Sequence, residues 1–113
     1  MSNLRPEHIR NPSPQTLAKY GMTLRLWLRM ARAQGWRCAV CRKVPKRFVI
    51  DHEHVAGWKW KEPNDRLLFV RGLCCDSCNH YVLTRYADAE KHRAAADYLD
   101  AHERRKKESL GIT

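Results

Sequence analysis

Cys38-Ala39-Val40-Cys41 and Cys75-Asp76-Ser77-Cys78-Asn79 are the two stretches on which the reading of this chain turns. A two-residue gap lets both thiolates of a knuckle reach one ion, and two such knuckles complete a tetrahedron around Zn²⁺. Four sulfur ligands leave no open coordination position, so the expected zinc on Cys38, Cys41, Cys75 and Cys78 is structural. A redox CxxC or four unrelated buried cysteines are the competing readings, and the pairing of two knuckles weakens both. Cys74 is left over, either as a small buried hydrophobe or as a substitute ligand. Five cysteines in all is an odd number, which argues against a closed disulfide framework.

Residues 42–74 must then fold as an insert between the knuckles. Arg47-Phe48-Val49-Ile50 and Leu67-Leu68-Phe69-Val70-Arg71 read as its two short strands. Asp51-His52-Glu53-His54 follows the first, and Gly72 permits a bend before the second knuckle. Trp58-Lys59-Trp60-Lys61 alternates aromatic and basic residues. On a strand both tryptophans would share one side. A hairpin that buries them is the preferred reading, and stacking on unpaired bases is the alternative.

Outward from this frame the signals are helical. Leu17, Tyr20, Leu24, Trp27 or Leu28, and Ala31 recur at helical spacing over residues 16–34, with Gly21 weakening the start and Gly35 suiting the end. Asn79 to Tyr86 is expected as a short helix. Asp88 reads as the N-cap of a final helix reaching about Glu108, with Ala94 or Ala95, Tyr98, Leu99 and His102 on its apolar face. That helix either completes the monomer core or pairs with a second chain. The expected organisation is a flexible arm over residues 1–15, a single zinc-stabilised domain over 16–108, and a tail over 109–113.

The 113 residues carry 22 Lys and Arg against 12 Asp and Glu, a net charge of +10, which favours polyanionic partners. No apolar N-terminal region and no apolar run near the ~18 residues of a membrane span is present, so the chain is expected in the cytoplasm with no membrane partner. Asp51 and Asn79 each offer a hard oxygen, which suits Mg²⁺ better than Zn²⁺. A neighbouring imidazole, His52, could deprotonate water for attack on phosphorus. Taken singly, each of these residues has a plainer reading as a surface histidine, a solvated carboxylate or a helix cap.

Together with their spacing, Gln34 to Cys41, Ile50 to His54 and Val70 to Asn79 resemble the phage recombination endonuclease VII family, within the HNH (ββα-metal, His-Me finger) nucleases. The weaker segment Arg93 to Leu99 extends the resemblance, which covers roughly residues 24–100. It implies an α+β fold with a ββα-metal core, a four-cysteine structural zinc and flanking helices. It implies Mg²⁺ or Mn²⁺ on Asp51 and Asn79, His52 as general base, and His54 either on the scissile phosphate or orienting His52. It further implies a homodimer that cuts branched DNA such as four-way (Holliday) junctions, encoded by a phage and acting in the host cytoplasm. Three departures stand out: Glu53 where the family often has Asp, a longer segment over 55–69, and Val82 where an acidic active-site residue is known in the family.

Arg71, Arg42, Lys43, Lys46, Arg47, Lys59 and Lys61 are the expected DNA contacts, following the backbone and so setting affinity rather than sequence choice. Arg71 reads equally as a phosphate clamp or a solvated cation. Two alternatives stand beside a junction resolvase: an HNH enzyme nicking duplex DNA without structural preference, and a zinc DNA-binding module with no catalysis. Only the last has no use for a base beside a hard-metal pocket.

Overall fold

The computed structural model describes residues 4–111. Two short N-terminal helices, α1 (Pro14–Lys19) and α2 (Leu24–Ala33), precede strand β1 (Val49–His52). A 3₁₀ turn (Trp58–Trp60) and helix α3 (Pro63–Leu67) lead to strand β2 (Val70–Cys74). A π-helical turn (Cys78–Val82) and the long helix α4 (Ala89–Ser109) complete the chain. The architecture is the expected α+β class, with a two-stranded antiparallel hairpin and a four-cysteine cluster.

The helical spacing over 16–34 is divided at Gly21, and the firm helix, expected from near Thr23, is α2. Gly21 adopts φ +63, a left-handed conformation that ends α1 and turns the chain. Thr23 then caps α2, its hydroxyl accepting from the Leu26 amide at 3.1 Å. Trp27 and Ala31, one turn apart, are the buried residues of α2, while Arg25, Arg29 and Arg32 face solvent. They join Ile9, Tyr20, Met22, Trp36, Ile50 and Leu73 in the core. Gln34 fastens α2 to the hairpin: its side chain donates to Leu73 O at 2.8 Å and accepts from Leu73 N at 3.0 Å.

Within the part described, the arm over 1–15, expected to be flexible or loosely docked, is docked on the core. Ile9 is buried, and Arg5 lies over both Trp36 (5.0 Å to the ring centroid) and Trp27 (5.8 Å). Arg5 also donates to Ile9 O and Asn11 Oδ1, which fixes the guanidinium against the rings. Residues 1–3 lie outside the described residues, as do 112–113 of the expected tail.

Both strands lie further along the chain than their composition indicates. β1 takes in Asp51 and His52, and β2 runs up to the second knuckle. The register is Val49–Cys74, Ile50–Leu73 and Asp51–Gly72, then His52–Val70. Arg71 is therefore the extra residue of a β-bulge, a device that re-aims side chains. A backbone bond from Glu53 N to Phe69 O, 2.8 Å, closes the hairpin above it.

Trp58–Trp60 is a 3₁₀ turn, not the expected hairpin strand. Gly57 enters it at φ +73, and Pro63 starts α3 three residues after Trp60. The tryptophans consequently diverge: Trp58 packs against the core, and Trp60 is 80% exposed. The helix expected over Asn79 to Tyr86 is shorter, ending at Val82. Asp88 does cap α4, accepting from the Lys91 amide at 3.0 Å. No residue of α4 is buried, so it does not complete the core.

Candidate nuclease site

Two clusters meet at the hairpin. In the first, the ligand atoms of Cys38, Cys41, Cys75 and Cys78 all lie within 4.8 Å of one another, with Cys41 Sγ and Cys75 Sγ 3.9 Å apart. Sulfurs bonded to one tetrahedral zinc at ~2.3 Å stand about 3.8 Å apart, so the donor set fits that ion. Burial on its own would raise the Cys38 thiol, but amide donation around it prevails and lowers it to about 6, toward the thiolate a metal requires. Cys74 is the opposite case. Burial first, with the charge of its neighbours, pushes its thiol up to about 12, and it stands outside the four-sulfur group.

The second cluster lines a cleft of about 340 Å³ whose walls include His52, His54, Asn79, His80 and Arg85. β1 delivers His52, its continuation delivers His54, and the π-helical turn directly after the last cysteine delivers Asn79. The amide of Asn79 itself donates to Cys75 O at 3.0 Å, so the second knuckle and this side chain are built as one unit. His80 and Arg85 were not singled out from the sequence. Their side chains acquire meaning only once the turn after Cys78 is folded against β1.

Asp51, one residue before His52, is only 2% exposed. A carboxylate so buried requires a partner. Arg71 supplies it: Nε donates to Asp51 Oδ2 at 2.8 Å and Nη2 to Oδ1 at 3.1 Å. The bulged residue of β2 is thus engaged by the strand opposite it and is not simply a solvated cation. The same two-pronged contact raises the Arg71 guanidinium above its ordinary value.

His52 is enclosed by rings. The Trp58 indole stacks on it with centroids 4.0 Å apart and planes 15° from parallel. His54 and Tyr20 lie tilted at 5.2 Å and 5.6 Å. Burial lowers the His52 pKa below its usual 6.5, with the charge of His54, Lys19 and Arg71 acting the same way against a weaker opposing pull from Asp51. The neutral form, the one able to accept a proton, is therefore favoured at neutral pH.

Among the other expected DNA contacts, Arg47 donates to both oxygens of Asp76 at 3.0 Å, an exposed pair. Arg42, at φ +64, donates to Gln34 O at 3.1 Å. Lys43 and Lys46 are exposed beside the first knuckle. Lys59 lies over the Trp60 ring at 5.4 Å and Lys61 over Phe69 at 5.1 Å.

The sequence model of the recombination endonuclease VII family matches residues 13–101, from the N-cap of α1 well into α4. The chain belongs to the recombination endonuclease VII family. Gene 59 proteins of Mycobacterium phages D29 and L5 are 36% and 34% identical to it over 87 residues. Those alignments take in 74% of this chain and 46% of each phage protein, so the chain spans about half the length of the curated relatives it matches. No solved structure matches it. The endonuclease VII match contains both cysteine knuckles, β1, β2 and the whole insert between them. It also takes in α1, which the motif-based resemblance from about residue 24 had left out. Among the described residues, no helix is long and apolar enough to cross a membrane.

Proposed function

We propose that this endonuclease VII family member is a metal-dependent DNA endonuclease that hydrolyses phosphodiester bonds in branched DNA, Holliday junctions included. The observation that carries the reading is the cleft in which His52, His54 and Asn79 converge, with Asp51 lining the neighbouring pocket beside Arg71. A module that only binds DNA has no need to shelter an imidazole there.

Asp51 and Asn79 are the residues that would hold Mg²⁺ or Mn²⁺. Their donors fit in kind, both being hard oxygens. Each Asp51 oxygen accepts one bond from Arg71, which leaves it a further lone pair. When bound, the ion supplies positive charge to the phosphoryl group and the departing oxygen. His52 takes the proton from the attacking water. The resulting hydroxide displaces the 3′-oxygen from phosphorus, leaving a 5′-phosphate and a 3′-hydroxyl. His54, exposed at the cleft mouth, contacts the scissile phosphate, and Arg85 and His80 line the path of the strand. Zinc on the four cysteines has no part in the chemistry and fixes Asn79 beside β1.

Trp60 favours branched over uniform duplex DNA. A tryptophan this exposed, with Lys59 over its ring, offers a stacking face for an unpaired base next to a cationic group for the backbone. Lys61, Lys43, Lys46 and Arg42 extend the basic surface. A homodimer would bring one site to each strand, and the unburied α4 is the surface that could form it. Action in the host cytoplasm follows if the gene is a phage's, as for the gene 59 relatives.

The test is cleavage of a labelled four-way junction and a matched linear duplex in Mg²⁺, alongside His52→Ala. Cutting of the junction alone, abolished in the variant, is expected. Equal cutting of both substrates would leave a nuclease without structural selectivity. No cutting in Mg²⁺ or Mn²⁺ by zinc-loaded protein would leave a DNA-binding module.

A further inference from the structure

A histidine acting as a general base is ordinarily oriented by a hydrogen bond from its second ring nitrogen to a carbonyl or carboxylate. Among the described residues, none hydrogen-bonds the His52 imidazole, and its near neighbours are rings: Trp58 face to face, His54 and Tyr20 at a tilt.

We propose that Trp58 is the positioning residue for His52, its indole face fixing the imidazole plane where a hydrogen-bonded partner would otherwise stand. The inference rests on the nuclease reading above and names what orders its base. At 4.0 Å and 15° the two rings are in face contact, so the imidazole cannot turn about its Cβ–Cγ bond without striking the indole. His52 on a β-strand has its Cα set by the ladder. The side-chain torsions are what remain free, and the stack removes that freedom. Such restraint keeps a reacting nitrogen in a near-attack position.

The indole must itself be held, and the insert is built to hold it. Arg66 in α3 lies over the Trp58 ring, 5.4 Å from its centroid. Its guanidinium donates to three backbone carbonyls, Trp58 O at 3.3 Å, Lys59 O at 3.2 Å and Lys19 O at 3.1 Å. The first two close the 3₁₀ turn that carries Trp58, and the third ties that turn to the end of α1. At the next turn Gly21 lies against Pro63, so close that a β-carbon there would stand 2.4 Å from the Pro63 carbonyl oxygen. The segment over 55–69, longer than the family's pattern leads one to expect, thereby has a role. It carries a ring to the base and braces it from α1 and α3.

Zinc-loaded Trp58→Leu and Trp58→Phe test the inference against the unaltered protein, using a substrate it cuts and DNA affinity measured in Ca²⁺. Trp58→Leu is expected to lower kcat by at least about tenfold with little change in KM or DNA affinity, because the base is misoriented while the binding surface remains. Trp58→Phe, which preserves a ring face, should recover kcat to within about threefold of the unaltered protein. A structural role alone would not distinguish Phe from Leu in kcat while sparing KM. In the unaltered protein the ring proton resonances of His52, assigned against His52→Gln, should be displaced upfield by the indole ring current. They should return toward ordinary histidine positions in Trp58→Leu. Undisplaced His52 resonances in the unaltered protein overturn the inference even if Trp58→Leu fails to fold. Unaltered kcat in a folded Trp58→Leu overturns it as well. Displaced resonances in a protein that cuts no DNA would instead sink the nuclease reading and, with it, the catalytic purpose of the stack.

Discussion

Arg71 and Asp51 make the sharpest case at the residue scale. Removing the guanidinium strands a carboxylate that is 2% exposed, whereas removing both charges leaves only a neutral amide, whose burial costs less. Arg71→Met should therefore destabilise the protein by about 1–3 kcal/mol, the lower end reflecting an arginine open to solvent on one side. Asp51→Asn added to it should recover part of that loss, with a coupling above about 1 kcal/mol in a urea-unfolding double-mutant cycle. Additive losses would show that the pair is not energetically linked. Gly21 is the second such residue. Ala there must adopt φ +63 and meet the Pro63 carbonyl oxygen at 2.4 Å, so Gly21→Ala should lower stability by more than about 1 kcal/mol. An unchanged urea midpoint would mean that α3 yields without cost. The residue types of this site were legible in the sequence because Asp, His and Asn each advertise their chemistry. Tyr20 and Trp58 were legible only as packing residues, and Arg66 not at all, since an aromatic or an arginine acquires its partner through the tertiary fold.

At the scale of elements, what the sequence disclosed was local. Thr23 and Asp88 cap their helices where short-range chemistry indicates. The strands were placed too early because pairing, not composition, decides where a ladder runs. Here β2 is held by the knuckle that follows it and by Gln34 on Leu73. The alternation in Trp58 to Lys61 looked like a strand, yet Gly57 at positive φ and Pro63 at the first turn of α3 leave room only for a 3₁₀ turn. The knuckles bracket the hairpin, so zinc is expected to act on the folding of the whole frame. Exhaustive chelation should abolish the cooperative thermal transition monitored by near-ultraviolet dichroism, and added Zn²⁺ should restore it. Atomic emission should find one zinc per chain, and Cys78→Ser should lose it. Cys74→Ala should retain it, because Cys74 lies outside the four-sulfur group. Zinc loss in Cys74→Ala would move that residue into the ligand set.

For the molecule as a whole, the radius of gyration is 17.5 Å, against about 13 Å for a compact domain of this length. The excess follows from α4, which runs for 21 residues with none buried. Tyr98 and Leu99 on it are 74% and 60% exposed, and such side chains contribute nothing to a monomer. Tyr98→Lys with Leu99→Lys should therefore leave the urea midpoint within about 0.5 kcal/mol when measured on dilute protein. The same change should abolish self-association in sedimentation equilibrium. A monomer at every concentration before any substitution would remove the model of paired cuts. The charge of +10 acts at this scale too. DNA affinity should fall steeply with salt, the slope of log K on log salt giving about 0.9 per phosphate neutralised.

The bond from Glu53 N to Phe69 O brings the two ends of the intervening segment together at the base of the hairpin. Chain entering and leaving through one narrow gate can lengthen or shorten at little entropic expense, because closure entropy grows only logarithmically with loop length. Cysteine frame and cleft, His54 included, then form a chassis, and residues 55–68 a replaceable cartridge. Under the proposed function, exchanging the cartridge would alter which DNA shapes are engaged, provided each new one still presents a flat face to His52. Grafting segments of different length between His54 and Phe69 is accordingly the natural way to vary this surface by design.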